Sequence, residues 1–384
     1  MYRNKKNEEV YMIRVKVKNI CIYLATILIT LRLNLLLTQR SIDEGFSNFL
    51  FISAFLLILI QIFTSKYTVM QLFMLVVLTL VIVKITLVTG SNILLFMLFF
   101  VYAIPDIDLV KIIYIYTFIT TSLFIYTVMN SLFTGTNISL YGGWRENVGL
   151  EERYIFGFVH PNTLQGTYFR VVVGLMFCCK NKKWINKLII CCMLVGFLLF
   201  TFSKSRAGFL VLLIYLVTFL MTKGLQKIIE LKKLAFIYEI IYIFIVFFTL
   251  YSCYTYGKNK IIVLIDSVLT GRFMLASRII NKVSLSIWGN YLPRDYVIDC
   301  GITATLVIYG ILFFIIVLFI YLIGIKKAVN DGDAFIVATI VSFIFYSMIE
   351  DVYANIFLNL GFLFCMNYTM LTMKSKYNVT LKGK

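Results

Sequence analysis

Apolar runs recur along this chain, separated by short polar breaks that are rich in Lys and Arg. A bilayer core takes about 20 residues of helix per crossing. On that ruler the runs predict about twelve membrane-spanning helices, near 20–38, 47–64, 68–89, 92–104, 111–133, 164–179, 188–202, 207–222, 234–255, 301–324, 335–350 and 352–373. The fourth is short and ends at Pro105. The expected fold is all-α: a single polytopic integral membrane domain over 1–384, without internal repeat or linker. The basic stretch Met1–Asn19 is long for the start of a secretory signal. The run after it lacks a small-residue cleavage site, so it is expected to remain as the first span.

The polar breaks fall into two classes. Met1–Asn19, Lys66, Lys111, Lys180–Lys187, Lys223–Lys233, Lys326–Lys327 and Lys374–Lys384 are short, basic and poor in acid. The positive-inside bias places them in the cytoplasm, together with both termini. The opposite side receives two long segments, near 134–163 and 257–300, which mix Arg, Asp, Glu, Gly, Trp and Tyr. Long loops on a rigid scaffold are where binding and catalysis concentrate.

Composition agrees. Apolar residues make up 61% of the chain and charged residues 14%, against roughly 25% charge in soluble domains. The net charge of +18 lies mostly in the short breaks, so it points to anionic lipid headgroups and not to nucleic acid. The eight Cys have no zinc-type spacing and read as packing residues; Cys253 and Cys300 bracket an outer segment, where a disulfide is not the favoured reading. No inner break has room for a nucleotide-binding domain, and no P-loop string occurs. Any substrate must therefore arrive activated and already in the membrane.

Four groups of residues carry candidate chemistry. The first outer loop holds Arg145, Glu146, Glu151, Glu152 and Arg153, then Gly157 and the string His160-Pro161-Asn162. His160 is the only histidine in the chain, and imidazole is the side chain best suited to moving a proton near neutrality. It could equally cap the helix that begins just after it. Thr201–Gly208 breaks two spans with Ser203, Lys204, Ser205 and Arg206, offering cations and hydroxyls at a helix start. Arg272 follows Thr270-Gly271, and Arg278, Lys282, Trp288, Arg294, Asp295 and Asp299 come after it. Arg32, Lys84, Arg170 and Glu239 lie inside expected spans, where charge is costly; Arg170 is placed about two turns below Asn162. Asp106-Ile-Asp108 has the form of a metal-binding DxD, but after Pro105 it reads as a helix cap.

An Arg-rich outer mouth opening on apolar walls suits a lipid-linked pyrophosphate. The ordered strings Arg153-x3-Gly157-x2-His160-Pro161-Asn162, Ser205-Arg206-Ala207-Gly208 and Thr270-Gly271-Arg272 resemble the O-antigen polymerase and ligase superfamily, as does Asp299 ahead of Tyr309-Gly310-Ile311; Glu350 before Asn355 adds a weaker match. The resemblance covers about residues 145–360. It implies a Wzy-type polysaccharide polymerase of a bacterial cytoplasmic membrane. Such an enzyme joins undecaprenyl-pyrophosphate-linked repeat units at the outer face by inverting glycosyl transfer, without metal or other cofactor. Arg206 and Arg272 would grip the pyrophosphate, helped by Arg153, Asn162, Arg170, Ser205 and Arg278, and His160 or Asp299 would take the acceptor's proton. Expected partners are the lipid-linked glycan, membrane lipids and other assembly proteins such as a chain-length regulator or flippase. Two departures stand out: Cys300 follows Asp299 where the family often has Asn, and the second loop lacks the His usual in ligases. The latter favours a polymerase over a ligase to another acceptor. A lipid-linked oligosaccharide flippase or other transporter is the alternative from another class.

Overall fold

The computed structural model describes residues 2–39, 42–104, 108–141, 152–293, 296 and 298–382, with backbone alone for 2–18, 140–141 and 373–382. Arg145, Glu146, Glu151, Asp106, Arg294 and Asp295 lie outside the described residues. The elements are α1 (Tyr2–Leu36), α2 (Glu44–Thr64), α3 (Val69–Thr89), α4 (Ile93–Tyr102), α5 (Leu109–Thr134), β1 (Ser139–Tyr141), β2 (Glu152–Tyr154), α6 (Pro161–Cys179) and α7 (Ile185–Ser203). There follow α8 (Arg206–Leu225), α9 (Leu231–Thr255), α10 (Lys260–Val268), α11 (Arg272–Ile280), α12 (Gly301–Asn330), α13 (Ala334–Tyr346) and α14 (Leu360–Lys382).

Each of the twelve expected segments falls on a helix, and eight of the helices are long and apolar enough to cross a membrane. Their outward surface is apolar: Phe63 is 85% exposed, Leu87 77% and Phe133 81%. Helices that are apolar all round pack against lipid on one side and protein on the other. The protein is thus a polytopic, membrane-embedded helical bundle. Two features were not expected. The first long loop contains a small antiparallel hairpin, β1 with β2, which pairs Leu140 with Arg153. The second carries two short helices, α10 and α11. Asp108 does cap α5, accepting from Val110 N–H at 3.0 Å.

The boundary between the last two expected spans is corrected. Instead of a break near 350–352, α13 stops at Tyr346 and residues 347–359 are non-helical. Thirteen helical residues reach only about 20 Å, short of the roughly 30 Å bilayer core. Irregular backbone among transmembrane helices persists only where protein satisfies its polar groups, and side chains do so here. Asn359 Nδ2 donates to the carbonyls of Val352 and Tyr353 at 3.2 and 3.3 Å, while Asn359 Oδ1 accepts from Phe362 N–H. Tyr321 OH donates to Tyr353 O, and Tyr116 OH donates to Phe357 O. The Tyr353 ring stacks on Tyr321 with centroids 4.9 Å apart.

A second irregularity lies in α12. Gly310 has φ +88°, a conformation that favours glycine, and the helix breaks there. Residues 284–290 of the second long loop fill the gap. Asn290 N–H donates to Ile308 O, Ile311 N–H donates to Ser286 O, and Asn290 Nδ2 donates to Val307 O at 2.8 Å. The loop is thereby fastened to the bundle close to the chain's expected chemistry.

Asn359→Ala should leave two buried carbonyls and an amide with fewer partners, at a cost of about 1–3 kcal/mol. A clearly lower thermal midpoint of the purified protein in detergent is the expected outcome. An unchanged midpoint would mean that residues 347–359 are held by packing alone.

Candidate active site

Six chain segments meet in one polar network centred on Asn162, in the first turn of α6. His160 is the N-cap of this helix and Pro161 its first residue, a position where the missing proline N–H costs nothing. Asn162 Oδ1 accepts from Ser205 Oγ at 2.9 Å and from Arg153 Nη2 at 3.4 Å. Its Nδ2 donates to Glu350 Oε1 at 2.9 Å. The same Glu350 oxygen accepts from Arg272 Nη2 at 3.0 Å, and Arg272 Nη1 pairs with Asp299. Arg153 Nε donates to Ser203 O at 3.0 Å. The hairpin, the α6 start, the α7–α8 turn, the α11 start, the residue before Cys300 and the buried segment after α13 are thus joined in one continuous network.

Local sequence explains how each member arrives. Gly208 lets α8 lie directly against Gln165 of α6, since a Cβ there would collide with the Gln165 side chain. That close approach brings Ser205 to Asn162. Arg272 opens α11 behind Gly271, which has φ +80°. Buried Asp266 accepts from the Phe273 and Met274 amides at 2.8 and 3.0 Å, so a carboxylate on α10 holds the α11 N-terminus in place.

The network holds two cations and two acids: Arg272 pairs with Asp299 and Glu350, and Arg153 bonds Asn162 and Ser203 O. One free charge lies on each side of it. Arg206 is exposed at the start of α8 and, among the described residues, forms no hydrogen bond or ion pair. It lines a cleft of about 190 Å³ whose other walls include Phe200, Phe209, Leu213, Leu269 and Ile349. On the opposite side, Asp351 borders a recess of about 30 Å³ with Asn355, Thr305 and Tyr309. Asp351 is exposed by surface area, although protein crowds its carboxylate closely. Burial, and then the nearby charges of Asp299 and Glu350, push it up to about 7.

Of the residues the sequence singles out, Arg153, Asn162, Ser205, Arg272 and Asp299 come together. His160 borders the group as a helix cap, its Nδ1 accepting from Asn162 N–H at 3.1 Å. One side of its ring is open to solvent. Burial of the rest, and then the charges of Arg153 and Arg272, lower its pKa to about 4 against an opposing pull from Asp299. Arg170 is buried within α6, with Nη2 donating to Thr167 Oγ1 at 2.6 Å and with Nε and Nη1 lacking a hydrogen-bond partner among the described residues. It is not joined to the network. Arg278 is exposed at the far end of α11, near Met274. Arg32 is paired with Ser47 and lies over the Phe51 ring. Lys84 is exposed, and Glu239 lies near the start of α9. Cys253 and Cys300 are free thiols that share the Thr303 hydroxyl.

Glu350 is the central acid, although the sequence marks it only as the residue ahead of Asn355. Asp351 went unnoticed; the available signal was a pair of adjacent acids at the end of an apolar run. No protein-family model, curated protein or solved structure matches the chain.

His160 caps α6 through its Nδ1, which accepts from the Asn162 amide. His160→Asn should preserve thermal stability, because Asn caps well, whereas His160→Leu should lose about 1 kcal/mol. With a pKa near 4, the ring stays unprotonated between about pH 5 and pH 8. Any rate change across that interval should survive in His160→Asn. Loss of the acid limb in that variant would return the proton-transfer role to His160.

Proposed function

We propose that the protein is a polysaccharide polymerase that joins lipid-pyrophosphate-linked oligosaccharide repeat units at the outer face of a bacterial cytoplasmic membrane. The observation that carries this reading is the apolar cleft ending at Arg206 beside a network built from six polar residues of widely separated segments. The cleft matches a polyprenyl tail that never leaves the bilayer. Arg206 matches its pyrophosphate, with the planar donor fork that suits phosphate oxygens.

The expected alternation of spans supports the outer placement. Asn162, Ser205, Arg272 and Asp299 belong to breaks that the lysine distribution assigns to the outside, and Glu350 ends an expected span on that side. Lys180 and Asp333, paired at 2.5 Å, join two breaks assigned to the inside. In the reaction, the acceptor hydroxyl oxygen bonds to the anomeric carbon as the bond to pyrophosphate breaks. The departing electron pair stays on the pyrophosphate, and configuration inverts. The leaving group needs little acid help, so alignment and charge stabilisation dominate. Arg206 supplies the charge. Arg272, already neutralised by Asp299 and Glu350, organises the site and is ready to exchange one carboxylate for a phosphate oxygen. The chemistry belongs to this chain's own residues, and the lipid-linked glycans are its partners.

Purified protein given lipid-linked repeat units, isolated from cells lacking it, should convert them to a ladder of longer glycans. Arg206→Ala should slow this on the order of 100-fold at unchanged protein level, with Arg206→Lys intermediate. Full activity of Arg206→Ala would remove the pyrophosphate role. For orientation, an impermeant thiol reagent should tag cysteine placed at Trp288 in intact cells and cysteine at Lys183 only after permeabilisation. Tagging at Lys183 in intact cells would reverse the topology.

A further inference from the structure

Ile349, Glu350 and Asp351 are consecutive, and each faces a different compartment. Ile349 lines the apolar cleft that ends at Arg206. Glu350 is tied into the central network by Asn162 and Arg272. Asp351 lines the small recess on the other side. Positions two residues apart along the chain are separated by at most about 7 Å, roughly the breadth of one sugar ring. The two openings therefore flank a partition as thin as the group to be transferred.

Their chemistry is opposite. The cleft is apolar with one free cation. The recess is lined by a carboxylate, an amide, two hydroxyls and the side chains of Ile93, Met97 and Ala354. Several of these polar groups are set to meet a ligand. Asn355 Oδ1 accepts from Phe357 and Leu358 N–H, which fixes the amide and leaves its Nδ2 without a partner among the described residues. Thr305 Oγ donates to Gly301 O and keeps its lone pairs. Asp299 and Glu350 both face Arg272, whereas the Asp351 carboxylate forms no hydrogen bond or ion pair among the described residues. A fixed amide donor beside an unengaged carboxylate is a pattern that recognises neighbouring hydroxyls. A volume of about 30 Å³ holds two waters or so, enough for the hydroxyl-bearing edge of a sugar while the ring rests at the mouth.

We propose that this recess is the acceptor subsite, taking the hydroxyl edge of the incoming sugar, and that Asp351 accepts the proton of the attacking hydroxyl. The inference deepens the polymerase reading and rests on it for the identity of the reaction. The hydroxyl O–H bond breaks with its proton passing to an Asp351 carboxylate oxygen. The freed oxygen pair forms the new bond to the anomeric carbon. The electron pair of the cleaved carbon–oxygen bond leaves with the pyrophosphate on the Arg206 side. His160, whose Nδ1 is occupied by the Asn162 amide, and Asp299, paired with Arg272, are not needed for that step.

The two compartments can be probed separately in the full-length protein with Ile93→Cys in the recess and Leu210→Cys in the cleft. Labelling by a small methanethiosulfonate is read at each position by peptide mass spectrometry. The probes are a panel of free hexoses, N-acetylhexosamines and hexuronic acids on one hand, and undecaprenyl pyrophosphate on the other. At least one sugar should slow labelling at position 93 and leave position 210 unchanged, and the lipid should do the reverse. Asp351→Asn should weaken the sugar's protection about tenfold and lower polymer formation on the order of 100-fold, with Asp351→Glu restoring part of both. Sugars that protect neither position, or protection of position 93 by the lipid, would overturn the acceptor subsite. A lipid that fails to protect position 210 would instead sink the donor cleft and the polymerase reading, while sugar protection at 93 would still establish the recess as a glycan site. Full polymer formation by Asp351→Asn, with sugar protection intact, would remove the proton-accepting role.

Discussion

The hydrogen bond from Asn162 to Glu350 is the contact on which the site depends. It joins residues 188 positions apart, one at the start of a buried helix and the other in irregular backbone. Asn162 uses its acceptor oxygen toward Ser205 and Arg153 and its donor nitrogen toward Glu350, so the amide has one sensible orientation. In surroundings of low polarity a half-satisfied network is costly and a complete one is rigid. The geometry of Arg272 and Asp299 follows, because Glu350 presents to Arg272 the same oxygen that Asn162 holds.

That contact requires two breaches of regular structure. A helix running straight through residues 335–373 would carry Glu350 past the α6 start; the termination of α13 at Tyr346 and the buried segment after it prevent this. The cost of unwound backbone is offset by Asn359 at the end of the segment itself and by Tyr321 and Tyr116 of neighbouring helices. The break at Gly310 does the same for the second long loop, whose backbone replaces the missing helical bonds. Stability and site geometry are therefore set by the same few polar side chains within an otherwise apolar bundle.

Much of the bundle was legible because lipid imposes a simple rule: a span is a run of apolar residues of fixed length. Every expected span overlaps a helix, and eight of the described helices are long and apolar enough to cross a membrane. The rule fails where protein replaces lipid as the solvent. Val352, Tyr353, Ala354, Ile356, Phe357 and Leu358 continue the apolar run of the expected last span, so composition could not reveal that Tyr353 and Asn359 hold the backbone irregular. The site was legible to the extent that its members were charged or polar in the outer breaks, as with Arg153, Asn162, Ser205, Arg272 and Asp299. Pairing was not. A lone histidine looked chemically special, but its ring nitrogen is occupied by a backbone amide. Asp351, lying between an expected span and the next, drew no attention although it is the acid without a cation beside it.

The separation of partners along the chain also dictates the order in which the protein matures during synthesis. The gap at Gly310 is closed by residues 284–290, which leave the ribosome earlier, so α12 can be completed as soon as it is inserted. The Asn162 amide has no such luck of timing. Its Arg153 and Ser205 partners are made early, but Glu350 arrives only after some nine-tenths of the chain has been translated. Until then Arg272 has Asp299 alone. A nascent chain that stops short of Glu350 holds a membrane bundle without an assembled centre, so the Asn162 network closes only after α13 has been made.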